Sequence, residues 1–280
     1  FIDAAIVRSD MLIFIGLGLY DEHSITREGE AALREADRVF AEFYTSRLLG
    51  ADVDALESHH GIEIDLRDRA GVEQTPEPIL AAAADGDAAF LTAGDPMIST
   101  THADLRVRAA DRGIDTRVIH GVTAETAASG LTGLQNYRFG KAVTLPFPGL
   151  HGAGDVPPSV IESIDANRER GLHTLVYLDI KVDSHRDLAA LDTDDPYMRA
   201  SEAAGWLATD WADKLAVVVA RAGSPDPVVA ADRLSTLAEQ SFGEPLHLLV
   251  IPGDLHHVEA DALKALAGAP DELLPTEADQ

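Results

Sequence analysis

Two short apolar runs, each stopped by glycine, constrain this chain more than any other feature. They are Met11-Leu-Ile-Phe-Ile-Gly-Leu-Gly-Leu-Tyr-Asp21 and Phe90-Leu-Thr-Ala-Gly-Asp-Pro96. Each leads into an amphipathic segment. A continuous apolar run of this length reads as a parallel strand buried on both faces. Glycine at its carboxyl end lets backbone N–H and C=O groups approach a small molecule with no Cβ in the way. In open α/β sheets such strand ends form the ligand crevice. Two of them in one chain point to one shared site.

The first loop opens like a dinucleotide fingerprint, but the third glycine of G-x-G-x-x-G falls on Asp21. A carboxylate there opposes a docking pyrophosphate. Taken alone, this loop is equally a glycine turn with no ligand. In the second loop Asp95 stands between a flexible glycine and a φ-locked proline, so its backbone direction is tightly set. Asp-Pro also makes plain turns. The residues after it, Ser99-Thr-Thr-His102, supply N-cap candidates for a helix over 103–110.

Along the chain strand and helix patterns alternate. Strands are predicted over 12–15, 38–43, 62–66, 88–92 and 116–119, with helices over 26–36, 78–84, 103–110 and 124–131. This alternation argues for a mostly parallel sheet covered on both faces. A second series follows Tyr137-Arg-Phe-Gly140, with strands over 142–145, 174–178, 216–220 and 246–251. Its helices are expected near 159–170, 197–208, 228–240 and 257–266. A glycine- and proline-rich loop occupies 146–158. The expected fold is α/β in two domains, 11–138 and 139–270. Residues 1–10 precede the first strand and read as a non-native or disordered extension, and 271–280 as a frayed polar tail.

Composition narrows the chemistry. The 280 residues can bury a large core and contain no cysteine, which excludes disulfides, thiolate catalysis and thiolate metal sites. No apolar run reaches the length of a membrane span. Acidic residues number 48 against 22 basic ones, and lysine stands only at Lys141, Lys181, Lys214 and Lys264. The acids are scattered, so they coat the surface, and nucleic acid or an anionic membrane is a poor partner for it. The pattern reads as the cytoplasmic protein of a halophile.

Several segments together carry a specific resemblance. They are Phe14-Ile-Gly-Leu-Gly-Leu-Tyr-Asp-Glu22, Phe40-Ala-Glu-Phe-Tyr-Thr-Ser46, Phe90–Pro96 and Thr100-Thr-His-Ala103. Further on come Gly171-Leu-His-Thr-Leu-Val-Tyr-Leu-Asp-Ile-Lys181, Ala220-Arg-Ala-Gly-Ser224, Pro252-Gly-Asp-Leu-His256 and Val258-Glu-Ala260. In these the chain resembles the tetrapyrrole methylase (class III) group of S-adenosylmethionine-dependent methyltransferases, and within it the diphthine synthase family. The Gly-Asp-Pro loop marks the wider group; the Phe40–Ser46 and Leu-Asp-Ile-Lys segments narrow it.

The resemblance implies that the methyl donor, S-adenosyl-L-methionine, lies in a cleft between the two halves and leaves as S-adenosyl-L-homocysteine. The donor contacts it implies are Leu19, Asp95, Ile98, Thr123 and Ala124 in the first part of the chain. Leu178, Ala222 and His247 complete the set. Thr123 and Ala124 are placed by register after His120, because Gly121-Val-Thr-Ala124 follows the family pattern only loosely. A carboxylate can accept donor hydroxyl or ammonium hydrogens, and Leu, Ile and Ala suit an adenine face. The implied acceptor is the amino group of 3-amino-3-carboxypropyl-histidine on translation elongation factor 2, and the implied assembly is a homodimer.

No catalytic acid or base is assigned, since a sulfonium donor already carries the activation and the acceptor amine can lose its proton to water. Glu42, Tyr44 and Thr45 fit either the acceptor side or a structural role at a strand end. His59-His60 and His256-His257 are set aside as ligands because adjacent side chains point apart. No metal site is expected, and no H-x-x-x-H spacing is present. Asp183-Ser-His-Arg-Asp187 reads as a solvated segment rather than a triad. Two other readings stay open: a methylase of small tetrapyrroles, and a non-catalytic nucleotide-binding domain.

A net charge of −26 makes a salt prediction. Diluting salt lengthens the Debye screening length from roughly 3 Å at 1 M to about 30 Å at 0.01 M, so more acidic pairs repel. Low salt is expected to loosen or unfold the protein and multimolar KCl to restore it. A circular-dichroism melting temperature that stays flat across that range refutes the halophile reading.

Overall fold

The structure, a computed structural model, describes residues 10–148, 156–180 and 196–275. The expectations for 1–9, Lys181, Asp183–Asp187 and the end of the tail lie outside them. The chain divides into two compact units, residues 1–123 with 183–191, and residues 124–182 with 192–280.

In the first unit β1 (Met11–Gly16), β2 (Arg38–Glu42), β3 (Ile64–Leu66), β4 (Asp87–Thr92) and β5 (Asp115–Ile119) form one sheet in the order β3-β2-β4-β1-β5. Every pairing in it is parallel. The central pair is the apolar one: β1 and β4 are buried from their second residue onward, whereas β5, at the edge, alternates in exposure. Ile13, Ile15, Val39 and Ala41 point to one face, where Leu33 of α1 (Arg27–Glu35) and Leu56 of α2 (Val53–His60) cover them. The alternate residues Phe14 and Phe90 meet edge-on, ring centroids 5.8 Å apart. Helix starts follow local chemistry: Thr26, Asp52 and Asp68 each accept the N–H three residues on. The last of these opens α3 (Arg69–Glu73); α4 (Glu77–Ala83) and α5 (His102–Asp111) lead into and out of β4.

The second unit begins with α6 (Ala124–Thr132), then β6 (Val143–Leu145), α7 (Pro158–Arg168), β7 (Thr174–Leu178) and α8 (Ala200–Trp211). After these come β8 (Leu215–Ala220), β9 (Val228–Arg233), α9 (Leu234–Ala238), β10 (His247–Ile251) and α10 (His257–Ala267). The sheet order is β6-β7-β10-β8-β9; only β6 and β7 are parallel, and the other pairings are antiparallel. Both faces are covered. Val176, Val218 and Leu249 look into one cluster with Leu207 and Leu234, while Leu175, Val217 and Val250 look into another with Ala128 and Leu263.

One expectation is corrected. Residues 228–240 form not one helix but β9 followed by the short α9, because Val228–Arg233 pairs along the whole of β8 and that tertiary pairing overrides the alanines. Helix α2 stands in a segment for which the sequence made no prediction. Helix α6 buries Ala128 in the second unit's core.

One buried carboxylate organises the second unit. Glu259 of α10 is inaccessible to solvent. Its Oε1 accepts the Gln135 N–H at 2.9 Å and His173 Nε2–H at 3.0 Å; its Oε2 accepts Arg138 Nη1–H at 3.0 Å and the His256 N–H at 2.9 Å. Burial pushes its pKa up, but these donors outweigh burial and hold it below the usual value. Burial keeps His173 neutral, so its Nδ1 accepts the Gly253 N–H at 3.0 Å. Glu259→Ala leaves Arg138, His173 and two backbone N–H groups without this acceptor and is expected to cost about 3–5 kcal/mol. Denaturant unfolding in high salt checks this, and a loss under 1 kcal/mol contradicts it.

Candidate functional site

In the first unit the loops leaving β1, β4 and β5 come together at backbone contact. A Cβ on Gly16 would lie 2.5 Å from both Gly121 N and Gly94 O, and one on Gly121 would overlap the same Gly94 oxygen. Gly18 and Gly94, both with φ of +77°, bridge each other: the Gly94 N–H donates to Gly18 O at 2.7 Å, and the Gly18 N–H to Gly94 O at 3.3 Å. Only glycine permits this approach and this conformation.

Asp95 then ties the cluster together. It is 5 % exposed. Its Oδ1 accepts the Met97 N–H at 2.8 Å, and its Oδ2 accepts the Gly121 N–H at 3.2 Å and His120 Nδ1–H at 2.7 Å. The sequence reading gave this carboxylate to a ligand. In the structure three of its roughly four acceptor sites serve the protein, and one is left. The His120 side chain is 72 % exposed, with Nδ1 fixed by Asp95. The sequence reading used His120 only as a register mark. Its position just beyond β5, one residue before a glycine, is the signal that could have found it.

Of the expected contacts in this unit, Leu19 follows Gly18 and Asp95 follows Gly94. Thr123 has its Cα 4.0 Å from where a Gly94 Cβ would stand. These three belong to the loop cluster. Ile98 lies on the same loop, its N–H donating to Asp95 O at 3.4 Å, with its side chain exposed.

Behind the Gly-Asp-Pro loop sits a second buried acid. Glu42 closes β2 and is wholly buried, its Oε2 accepting the N–H groups of Tyr44 and Thr45 at 3.0 Å and its Oε1 the Thr45 hydroxyl. His102 Nε2 stands 3.5 Å from Oε1, while its Nδ1–H donates to Pro96 O at 3.0 Å. The Thr100 hydroxyl donates to the same carbonyl at 2.7 Å. Burial lowers the His102 pKa. Burial also raises Glu42 from 4.5 to about 7, against the pull of Thr45 and Tyr44. Of the two roles open to Glu42 and Tyr44, their burial here favours the structural one.

In the second unit Leu178 ends β7, His247 opens β10 opposite Ala220, and Ala222 follows β8, so all three gather at one end of the sheet. Ala124 and Ala222 flank the same apolar cluster. His247 is buried; its Nδ1 accepts the Ala200 N–H at 3.1 Å, and its Nε2–H donates to Glu244 O at 3.1 Å. Both ring nitrogens are thus engaged within the protein. A cavity of about 660 Å³ opens at the other end of this sheet, beside Leu215 and Ile251, and none of these residues lines it. Among the described residues, the carboxylate and imidazole groups close enough to share a metal ion lie at Glu22, His23, Glu30, His59 and His60, none in the loop cluster.

A parallel sheet with glycine strand ends is thus followed by a mixed sheet covered on both faces. Residues 11–238 match the family Tetrapyrrole (Corrin/Porphyrin) Methylases, and the chain belongs to it. Within that family it is similar to diphthine synthases. The diphthine synthase of Halorubrum lacusprofundi is 74 % identical over 264 residues, covering 94 % of this chain and 99 % of the relative. That of Halobacterium salinarum is 71 % identical over 265 residues, covering 94 % and 100 %. A solved structure described as the crystal structure of diphthine synthase superposes with a TM-score of 0.83 at 36 % identity, covering 94 % of this chain and 98 % of that one.

The state of Glu42 makes a pH prediction. Between pH 4.5 and about 7 the folded protein keeps a proton at Glu42 that the unfolded chain has released. Stability from this group therefore falls as pH rises through that window and levels off above it. Glu42→Gln, which stays neutral, is expected to flatten that decline, by roughly 3 kcal/mol at most. Denaturant unfolding at fixed high salt from pH 4.5 to 8 reads the difference; parallel profiles for the two proteins contradict it.

Proposed function

We propose that this chain transfers methyl groups from S-adenosyl-L-methionine to the amino group of 3-amino-3-carboxypropyl-histidine on translation elongation factor 2, giving diphthine in diphthamide biosynthesis. The observation that carries this reading is the 74 % identity to a diphthine synthase across 94 % of the chain. The tetrapyrrole-substrate and non-catalytic readings have no comparable support.

The donor supplies an activated methyl on a sulfonium; the chain has to bind, orient and exclude water. The loop cluster suits the first two tasks. Its glycine strand ends pack backbone on backbone, which fixes the Gly-Asp-Pro loop, and Asp95 has an acceptor site beyond its printed partners for a donor hydroxyl or ammonium hydrogen. The family resemblance assigns donor contacts to Leu19, Ile98 and Thr123 beside Asp95. It assigns the remaining ones to Ala124, Leu178, Ala222 and His247. No catalytic acid or base is assigned, since the acceptor amine can lose its proton to water before attack. The protein works in the cytoplasm as a homodimer. Among the described residues no helix is long and apolar enough to cross a membrane.

The test is transfer of labelled methyl to elongation factor 2 in high salt. Factor that already carries the aminocarboxypropyl group is expected to gain single-methyl increments by mass spectrometry, at a rate that climbs with pH until the amine's own pKa is passed. Labelling of the unmodified factor, or of a free tetrapyrrole in preference to it, overturns the acceptor assignment. In the same series Asp95→Ala is expected to bind the donor roughly 10- to 100-fold more weakly, the worth of one charge-assisted hydrogen bond at about 1.5–3 kcal/mol. Unchanged affinity by calorimetry removes Asp95 from the donor site.

A further inference from the structure

Helix α2 ends in His59 and His60, with the left-handed Gly61 at its C-cap. Adjacent helical side chains leave the axis about 100° apart, yet here the two rings converge. Their centroids are 4.7 Å apart, and the His23 ring stands 4.5 Å from His59 on its other side. Helix α1 packs beside α2 and presents Glu30 to the same place. One carboxylate oxygen of Glu30 and one nitrogen each from His59 and His60 lie within 4.8 Å of one another.

His60 is the unusual member. It is 5 % exposed, and neither ring nitrogen has a hydrogen-bond partner. The Glu22 backbone lies near the ring without reaching hydrogen-bond geometry. A buried polar group left unpaired is destabilising, so such a ring calls for a ligand. Arg34 donates to Glu30 Oε1 at 2.6 Å. That bond orients the carboxylate as an outer-shell partner does and leaves its other oxygen open.

We propose that Glu30, His59 and His60 form a binding site for one divalent transition-metal ion, with water completing the shell. Two imidazoles and a carboxylate suit zinc, cobalt or nickel and do not suit magnesium or calcium, which take oxygen shells. The ion gives the buried His60 nitrogen its partner and clamps α1 to α2. It takes no part in methyl transfer, since none of its ligands belongs to the loop cluster around Asp95. A second triad, Glu22, His23 and His59, shares one ligand with the first and competes for the same ion; the buried, unpartnered His60 favours the first.

The test titrates chelator-stripped full-length protein with cobalt(II) in multimolar KCl and follows the visible d–d absorption. One cobalt per chain, displaced by zinc, is expected, together with a zinc-dependent rise in melting temperature. Glu30→Gln, His59→Gln and His60→Ala are each expected to weaken binding at least tenfold, and His23→Ala to change it less than threefold. If His60→Ala does not fold, by circular dichroism, Glu30→Gln and His59→Gln carry the test. Absence of stoichiometric cobalt binding overturns the site, as does binding unchanged in Glu30→Gln and His59→Gln. A loss in His23→Ala as large as in Glu30→Gln moves the ion to the other triad and refutes the assignment made here.

Discussion

The first unit depends on three strand-end backbones packed with no Cβ between them. Gly16, Gly94 and Gly121 occupy a space in which a methyl group on either Gly16 or Gly121 would overlap the Gly94 oxygen. This packing lets Asp95, one residue beyond Gly94, reach the Gly121 N–H and His120 across the loops. It also lets Gly18 and Gly94 exchange two hydrogen bonds. The apolar strands bring these loops to the same level, since β1 pairs in register with both β4 and β5. Sheet, glycines and carboxylate thus form one packed unit.

Three buried carboxylates show how surroundings decide what an acid does. Glu259 meets a guanidinium, an imidazole N–H and two backbone N–H groups, enough to keep it charged while buried. Glu42 has backbone and hydroxyl donors, a smaller pull from the Arg69 charge and beside it an imidazole that burial keeps neutral, and desolvation wins. Asp95 spends most of its acceptor capacity on loop backbones and His120. In the sequence all three are single acids in apolar company. Their partners lie from two to more than a hundred residues away, and the partners set their behaviour.

The acidic surface and the cores obey separate rules. The net charge of −26 rests on a chain whose two sheets are buried on both faces. Hydrophobic burial is little affected by those charges, whereas their mutual repulsion depends on the screening of the solvent. The relatives in Halorubrum and Halobacterium fit that reading.

By itself the sequence determined the strands, because a strand buried on both faces must be a nearly continuous apolar run, and β1, β4, β8 and β10 are written that way. It also determined the glycine strand ends and the family, through segments such as Phe90–Pro96 and Gly171–Lys181. It did not carry strand direction in the second unit, since burial on both faces removes the alternation that marks antiparallel pairing. It did not separate β9 from helix, because the pairing partner lies in β8, beyond any local window. Nor did it show that His247 and Asp95 spend their polar atoms inside the protein, or that His59 and His60 converge with Glu30. Periodicity records which face a residue presents along its own element. What meets it there is chosen by the packing of other elements, and only the tertiary structure contains that.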